Sequence, residues 1–261
     1  MQHDESDTPW LSRRRLLGGA VALGGVLTAG AAGISAATPA YAGTLAPEVY
    51  DRADWDARPP SHPIDVLHHG PDHIVVHHTA TENATDYSLE HALQLSRDIQ
   101  DMHMDGNGWW DIGEQLTISR GGYIMEGRDH SLDAISEQWH VVGAQTANEN
   151  SHTVGIENEG LYTKVAPPAA LLDSLIDTCA WLCQVYTLDP YDAIVGHRDY
   201  NATECPGDVL YKQLPNLRDR VAARLGGGAA RRRSADTAHR PHREGPTPAS
   251  GEPYDHGPAL G

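Results

Sequence analysis

The 261-residue sequence is poor in cysteine and in basic side chains. Its three cysteines, Cys179, Cys183 and Cys205, are too few and too odd in number for a disulfide-stapled secreted scaffold. Only 19 Lys and Arg stand against 36 Asp and Glu, a formal charge of −17. A surface this negative repels nucleic acid and anionic membranes, so neither is an expected partner. Internal repeats, glycine-rich phosphate loops and dinucleotide fingerprints are also lacking, which excludes the common nucleotide-binding classes.

The first 42 residues have the pattern of an export signal. The segment SRRRLL at 12–17 precedes a run of Gly, Ala, Leu and Val that ends in Ala-Tyr-Ala at 40–42. A charged front, an apolar centre and a small-residue site predict a twin-arginine signal cleaved after Ala42. The run is also long enough for a transmembrane anchor, but its many glycines and the terminal Ala-x-Ala favour cleavage. We therefore expect a secreted protein, extracellular or in the cell wall, with no membrane attachment after cleavage.

The other end of the chain is rich in Gly, Pro, Ala and charge. From residue 226 to residue 261 it has no apolar period, so it cannot bury a core and is expected to be disordered. Residues 43–225 then form one domain, large enough to bury about 70% of its unfolded surface. We expect this domain to be a monomer.

Two of the cysteines lie on the apolar face of a predicted helix. Cys179 and Cys183 are one turn apart in a pattern of Leu and Ile, which is typical of small core thiols. A bridge between them stays open but is geometrically poor. Cys205 differs because it lies in a polar loop, HRDYNATECPG at 197–207. An exported protein gains little from such a thiol unless a ligand or a reaction uses it.

Strands and helices alternate along the domain. β-branched and apolar patterns predict strands, and apolar residues at helical spacing predict helices. The predicted strands are 73–79, 116–119, 123–126, 153–157 and 193–196, the second and third joined by a hairpin, and the predicted helices are 88–103, 168–187 and 208–225. The order β-α-β-β-β-α-β-α predicts an α/β fold with a central mixed β-sheet and flanking helices.

Metal-ligand side chains follow two of these strands. His77 ends one strand, His197 ends another, and Cys205 follows eight residues later. Two imidazoles and a thiolate are three ligands for tetrahedral Zn²⁺ and leave the fourth position for water, as in a catalytic site. His77 and His78 point to opposite faces, and spacing alone does not choose between them. Chance placement is the alternative, because the chain has 16 histidines.

Two glutamates are candidates for proton transfer beside such a metal. Glu157 and Glu159 alternate along a strand and would face the same side if that strand continues through both. A glutamate on the cavity side of a strand needs a partner, and water on a metal is a suitable one. Glu114 is the second candidate. For each, the alternative is an exposed acid in a very acidic protein.

Six ordered sequence blocks resemble a known family. They are RADWDARPP at 52–60, VVHHTAT at 75–81, IQDMH at 99–103, GWWDIG at 108–113, EGR at 126–128, and GHRD with TECPG at 196–207. Together they resemble the peptidoglycan recognition proteins, a family that overlaps the zinc-dependent type 2 N-acetylmuramoyl-L-alanine amidases. The resemblance spans about residues 50–225.

The resemblance implies a fold, a ligand set and a substrate. It implies a mixed sheet with flanking helices and a groove for the glycan and peptide of peptidoglycan. The first histidine of the family's pair is the ligand, which corresponds to His77, and His197 and Cys205 match the other two positions. A retained cysteine separates amidases from members that only bind. The implied reaction is hydrolysis of the amide between N-acetylmuramic acid and L-alanine.

This chain departs from the family at two positions. Many members have a catalytic tyrosine where this chain has Glu114, and Gly-Ala-His where it has Gly-Ala-Gln, ending at Gln145. Glu157 matches the Gly-Ile-Glu position that serves as the catalytic acid/base in a neighbouring branch of the amidases.

These residues predict a mechanism and leave two rivals. Glu157 is expected to move the proton, Glu114 to orient water or substrate, and Thr203 to donate to the developing oxyanion. Trp109 and Trp110 are candidate contacts for sugar or peptide, with one of them expected in the core. The rivals are a module that binds muropeptide without cleaving it and a cysteine hydrolase that uses Cys205 with His197.

Overall fold

The computed structural model describes residues 46–226. The predicted export signal at 1–42 lies outside this part, and so does the predicted tail apart from Gly226. Within the described residues, no helix combines the length and the apolarity needed to cross a membrane.

A mixed six-stranded sheet forms the centre of the fold, as the sequence predicts. Its strands are β1 (Val49–Tyr50), β3 (His73–His78), β4 (Leu116–Ile118), β5 (Ile124–Glu126), β7 (Thr153–Asn158) and β8 (Ile194–Gly196). They are ordered β1-β5-β4-β7-β3-β8. Only β4 and β5 pair antiparallel; β4, β7, β3 and β8 run parallel, so their carboxyl ends meet at one edge. A separate antiparallel pair joins β2 (Val66–Leu67) to β6 (His140–Val141).

Five α-helices accompany the sheet in the described residues. They are α1 (Leu89–Asp101), α2 (Ser131–Ser136), α3 (Ala169–Tyr186), α4 (Pro190–Ala193) and α5 (Asp208–Arg224). The hydroxyl of Ser88 accepts from the His91 amide and caps α1, as predicted. A π-helical turn, Met102–Gly106, extends α1, and α5 continues through Pro215.

The main core lies on one face of the sheet. Ile74 and Val76 of β3 and Val154 and Ile156 of β7 join α3 and α5 in a single apolar cluster. Strand residues alternate between faces, so the odd-numbered residues of β3 and β7 point to the face opposite these even-numbered core residues. Residue 77 and residue 157 therefore share the face that does not carry this core.

Cys179 and Cys183 belong to that core cluster as free thiols. Burial raises the pKa of both. The prediction of small core thiols is confirmed.

The sequence missed the shortest elements. β1, β2 and β6 have two residues each, too few to show a period of two. α2 and α4 have six and four residues, too few for an apolar stripe. The five strands and three helices that the sequence predicts are all present, with ends shifted by a few residues.

Candidate metal centre and carboxylate pair

The three predicted metal ligands lie together at the carboxyl edge of the sheet. His77 is the penultimate residue of β3, and His197 follows the adjacent strand β8. The loop before α5 brings Cys205 to the same place. Ligand atoms of the three side chains lie within 4.8 Å of one another, and Cys205 Sγ lies 3.6 Å from His77 Nδ1.

Each imidazole is held by an amide oxygen. His77 Nε2 lies 2.6 Å from Gln145 Oε1, and His197 Nε2 lies 3.0 Å from Asn201 Oδ1. An amide oxygen only accepts, so each Nε2 donates to its amide and Nδ1 is the ring nitrogen that remains available to a metal. Burial, followed by the neighbouring His197, also lowers the pKa of His77. The lowered pKa favours the neutral, metal-binding form of His77, and the two hydrogen bonds fix the orientation of both rings.

The thiol of Cys205 has its own supporting contacts. The His78 amide donates to Sγ over 3.4 Å, and the Cys205 amide donates to Thr203 Oγ1 over 3.2 Å. Burial raises the pKa of this thiol, and the nearby Glu157 raises it further. A buried thiolate at this place requires a positive partner. Two imidazoles and one such thiolate fit a divalent ion of the zinc type.

The neighbouring His78 points to the other face of β3. Its Nδ1 accepts from the Tyr162 amide over 3.3 Å, and Tyr162 belongs to the core cluster. The first histidine of the pair, not the second, therefore faces Cys205 and His197.

Glu157 stands beside His77 on the neighbouring strand. In the parallel ladder Glu157 is paired with His77 on one side and with Thr117 of β4 on the other. Paired residues project to the same face, so the three side chains form one row across β3, β7 and β4. Burial, followed by the charge of Glu114, raises the pKa of Glu157 well above its ordinary value.

Glu114 is buried next to this row, with 1% of its surface exposed. Its Oε1 accepts from Thr117 Oγ1 over 2.8 Å, and its Oε2 lies 3.7 Å from His103 Nδ1. Burial raises the pKa of Glu114 to about 7. The alternative of an exposed acid is wrong for Glu114, and the two carboxyls interact electrostatically.

This geometry agrees with a comparison against protein families. The family model described as N-acetylmuramoyl-L-alanine amidase matches residues 68–208, which include all three candidate ligands. The chain belongs to the peptidoglycan recognition protein and type 2 amidase family.

Relatives in this family include enzymes and recognition proteins. An N-acetylmuramoyl-L-alanine amidase of Sus scrofa is 33% identical over 71% of this chain and 31% of that protein. Peptidoglycan-recognition protein LB of Drosophila melanogaster is 32% identical over 66% of this chain and 69% of that protein. The chain thus spans under a third of the mammalian amidases of pig and human.

Solved structures of recognition proteins share the fold. Drosophila peptidoglycan recognition protein LB superposes with a TM-score of 0.56 at 29% identity, covering 64% of this chain and 92% of that one. Peptidoglycan recognition protein LE, solved in complex with tracheal cytotoxin, a monomeric diaminopimelic acid-type peptidoglycan, superposes with a TM-score of 0.57 at 27% identity. That match covers 64% of this chain and 92% of that one.

The remaining residues that the sequence singled out, two tryptophans and a glutamate, lie in different environments. Trp109 is buried against His103, as expected for the core residue of the pair. Trp110 is half-buried and stacks on His62 at 4.7 Å. Glu159 lies beyond the end of β7, where its carboxylate accepts from the Arg120 amide and lies 2.6 Å from His91 Nε2. Glu159 is thus engaged in structural contacts.

Gln145 is the site residue whose function the sequence did not indicate. Besides holding His77, its side-chain amide donates to Thr153 Oγ1 over 2.9 Å. It packs over Gly155, where an added Cβ would lie 2.7 Å from its Cγ and Cδ. In the sequence Gln145 stands out only as a departure from the family's histidine.

Proposed function

We propose that this protein is a zinc-dependent N-acetylmuramoyl-L-alanine amidase that cleaves the amide between N-acetylmuramic acid and L-alanine in peptidoglycan. The observation that carries this proposal is the convergence of His77, His197 and Cys205 beside a carboxylate, Glu157, on the adjacent strand. Membership in a family with amidase-named relatives supports the choice of substrate.

His77, His197 and Cys205 would hold the zinc ion. When bound there, zinc supplies a Lewis acid that polarises the scissile carbonyl and lowers the pKa of water toward neutrality. The remaining steps belong to the protein's own side chains.

Glu157 is the proposed carrier of the proton. Among the described residues none donates a hydrogen bond to its carboxylate, so its oxygens are available to water and substrate. Its raised pKa allows it to accept a proton from the attacking water, hold it, and release it to the leaving amine of L-alanine.

Glu114 and Thr203 have supporting roles in this proposal. Glu114 fixes the row of polar side chains through its bond from Thr117 and raises the proton affinity of Glu157 by its charge. Thr203 uses its oxygen to accept from Cys205, which leaves its hydroxyl proton to donate to the carbonyl oxygen of the substrate.

Replacing one ligand tests the whole proposal. Cys205→Ser should lose bound zinc and the release of peptides from purified peptidoglycan, and a chelator should abolish release by the unaltered protein. Cys183→Ala, which removes a core thiol, is the matched control and should keep its metal and its activity. Full cleavage by Cys205→Ser would refute the ligand assignment.

Peptide release, combined with a peptidoglycan pull-down and with thiol alkylation, separates the two rival functions. A binding module would pull down peptidoglycan but release no peptide in any condition; the Glu114 and Gln145 departures from the family pattern favour this rival. A cysteine hydrolase would keep its activity after chelation and lose it on alkylation. The raised pKa of the Cys205 thiol weakens the second rival, since a nucleophilic cysteine needs a lowered pKa.

We also propose export through the twin-arginine signal and action as a monomer on the cell wall. The arginines at 13–15 and the Ala-Tyr-Ala at 40–42 support the first proposal. The net charge of −17 supports a soluble enzyme that binds neither nucleic acid nor anionic membrane.

A further inference from the structure

A second cluster of metal-binding side chains lies at the opposite end of the same two strands. His73 is the first residue of β3, Asp72 precedes it, and His152 immediately precedes β7. Nδ1 of His73 and Nδ1 of His152 lie 2.6 Å and 2.7 Å from the same oxygen, Asp72 Oδ1. The potential ligand atoms of all three residues lie within 4.8 Å of one another.

His152 is oriented from behind by a buried carboxylate. Its Nε2 lies 2.6 Å from Glu149 Oε2, and Glu149 has no exposed surface. A carboxylate that holds the far nitrogen of an imidazole fixes the ring and makes the near nitrogen a stronger ligand. The same arrangement supports the histidine ligands of many known metal sites.

The ring of His152 lies between two carboxylates, Asp72 and Glu149. Because both nitrogens of His152 face carboxylate oxygens, both must donate, and the ring is an imidazolium. A proton therefore occupies the position that a metal ion would take.

We propose that Asp72, His73 and His152 form a second site for a divalent transition metal, with Glu149 orienting His152. Two imidazoles and one carboxylate suit zinc, cobalt or nickel rather than calcium or magnesium. When the metal binds, the Nδ1 protons of the two histidines are released to solvent and the metal takes their place. The Nε2 of His152 keeps its proton and continues to donate it to Glu149. Asp72 has 47% of its side chain exposed, so the ion can enter from solvent and keep water ligands.

The site would tie the sheet to the loop that carries the first metal centre. Tyr200 lies between His197 and Cys205 in sequence, and its ring meets those of His73 and His152 edge-on at 5.9 Å and 6.3 Å. The neighbouring Asn201 donates to the Ala147 carbonyl. An ion held at His152 would therefore brace the start of β3, the start of β7 and the ligand loop together.

Cobalt(II) titration of the metal-depleted full chain distinguishes the two sites. Cobalt bound to Cys205 has a thiolate charge-transfer band, whereas cobalt on nitrogen and oxygen ligands has d–d bands alone. We expect the unaltered protein to bind two equivalents, one with the charge-transfer band and one without. Cys205→Ser should keep the equivalent without it, so this proposal can hold even where the amidase proposal fails.

Variants of the second cluster complete the test. Asp72→Asn and His152→Gln should each lose the equivalent that lacks the charge-transfer band. The second equivalent of cobalt should raise the melting temperature of the unaltered protein and leave that of these two variants unchanged. Glu149→Gln, which leaves all three ligands in place, should weaken the same equivalent about tenfold. His62→Gln, a change at a histidine outside both clusters, is the control and should keep both equivalents. The proposal is overturned if the unaltered protein binds a single equivalent, or if the second equivalent survives in both Asp72→Asn and His152→Gln.

Discussion

Gln145 should control how tightly the first centre holds its metal, although it is not a ligand. Its Oε1 accepts from Nε2 of His77 over 2.6 Å at a site where His77 is 3% exposed. Gln145→Leu removes this acceptor and keeps the approximate volume. The Nε2 proton of His77 then has no acceptor, and the ring loses the bond that fixes its tautomer and orientation.

The expected loss follows from the buried N–H group. Leaving such a donor unsatisfied costs about 1–3 kcal/mol, and changes behind a metal-binding histidine typically weaken metal affinity by about 10- to 100-fold. These ranges agree, because a tenfold change in affinity is about 1.4 kcal/mol. We therefore expect the zinc dissociation constant of Gln145→Leu to rise by about 10- to 100-fold, while Gln145→Glu, which keeps an acceptor, restores most of the affinity.

Competition with a chromophoric chelator at constant pH measures this constant. Gln115→Leu is the matched control, since Gln115 is also buried but bonds to the Val141 carbonyl and the Gly155 amide rather than to an imidazole. It should lower stability and leave zinc affinity unchanged. A dissociation constant for Gln145→Leu within twofold of the unaltered protein would refute the role given to this hydrogen bond.

Three further predictions concern the carboxylate pair and export. Glu157→Gln should lower peptide release by about 10²- to 10⁴-fold with zinc content unchanged, as measured by metal analysis and product release; loss of zinc instead would make Glu157 a structural residue. The pKa of Glu114 is about 7 in the fold against an ordinary value of 4.5, so its folded form retains a proton that the unfolded chain has lost, and the free energy of unfolding should fall by up to about 3 kcal/mol as pH rises from 4.5 to 7. Glu114→Gln should flatten that decline in urea unfolding at several pH values, and an unchanged slope would contradict the burial argument. Replacing Arg13 and Arg14 by lysine should leave the precursor inside the producing cell, seen by fractionation, whereas undiminished secretion would exclude the twin-arginine route.

The sequence was sufficient for the parts of the fold that are long and periodic. β3 is dense in β-branched residues, α1 has its Ser88 cap and apolar spacing, and α3 has a regular apolar face, so all three were predictable from local pattern. The mixed sheet followed from their order. The two-residue strands depend on partners distant in sequence, and no local pattern identifies them.

The metal ligands of the candidate site were predictable from the sequence. The side chains that hold those ligands in place were not. Their positions at the ends of strands identified His197, Cys205 and one histidine of the pair at 77 and 78 as candidate zinc ligands. The choice of His77 over His78 needed the family resemblance. The roles of Gln145 and of the cluster at His152 depend on how the loop at 142–152 folds back onto the starts of β3 and β7. Such loop directions are set by tertiary contacts, which sequence spacing does not encode.

The absence of a side chain at Gly155 limits which substitutions this part of the protein can accept. Two residues before Glu157, it leaves the space that the amide of Gln145 fills, so any side chain there would collide with the group that steadies His77. Positions 145 and 155 are therefore expected to change only as a pair, with a methyl group at 155 tolerated once 145 has been shortened. A library that randomises the two together should recover small–large combinations and reject large–large ones.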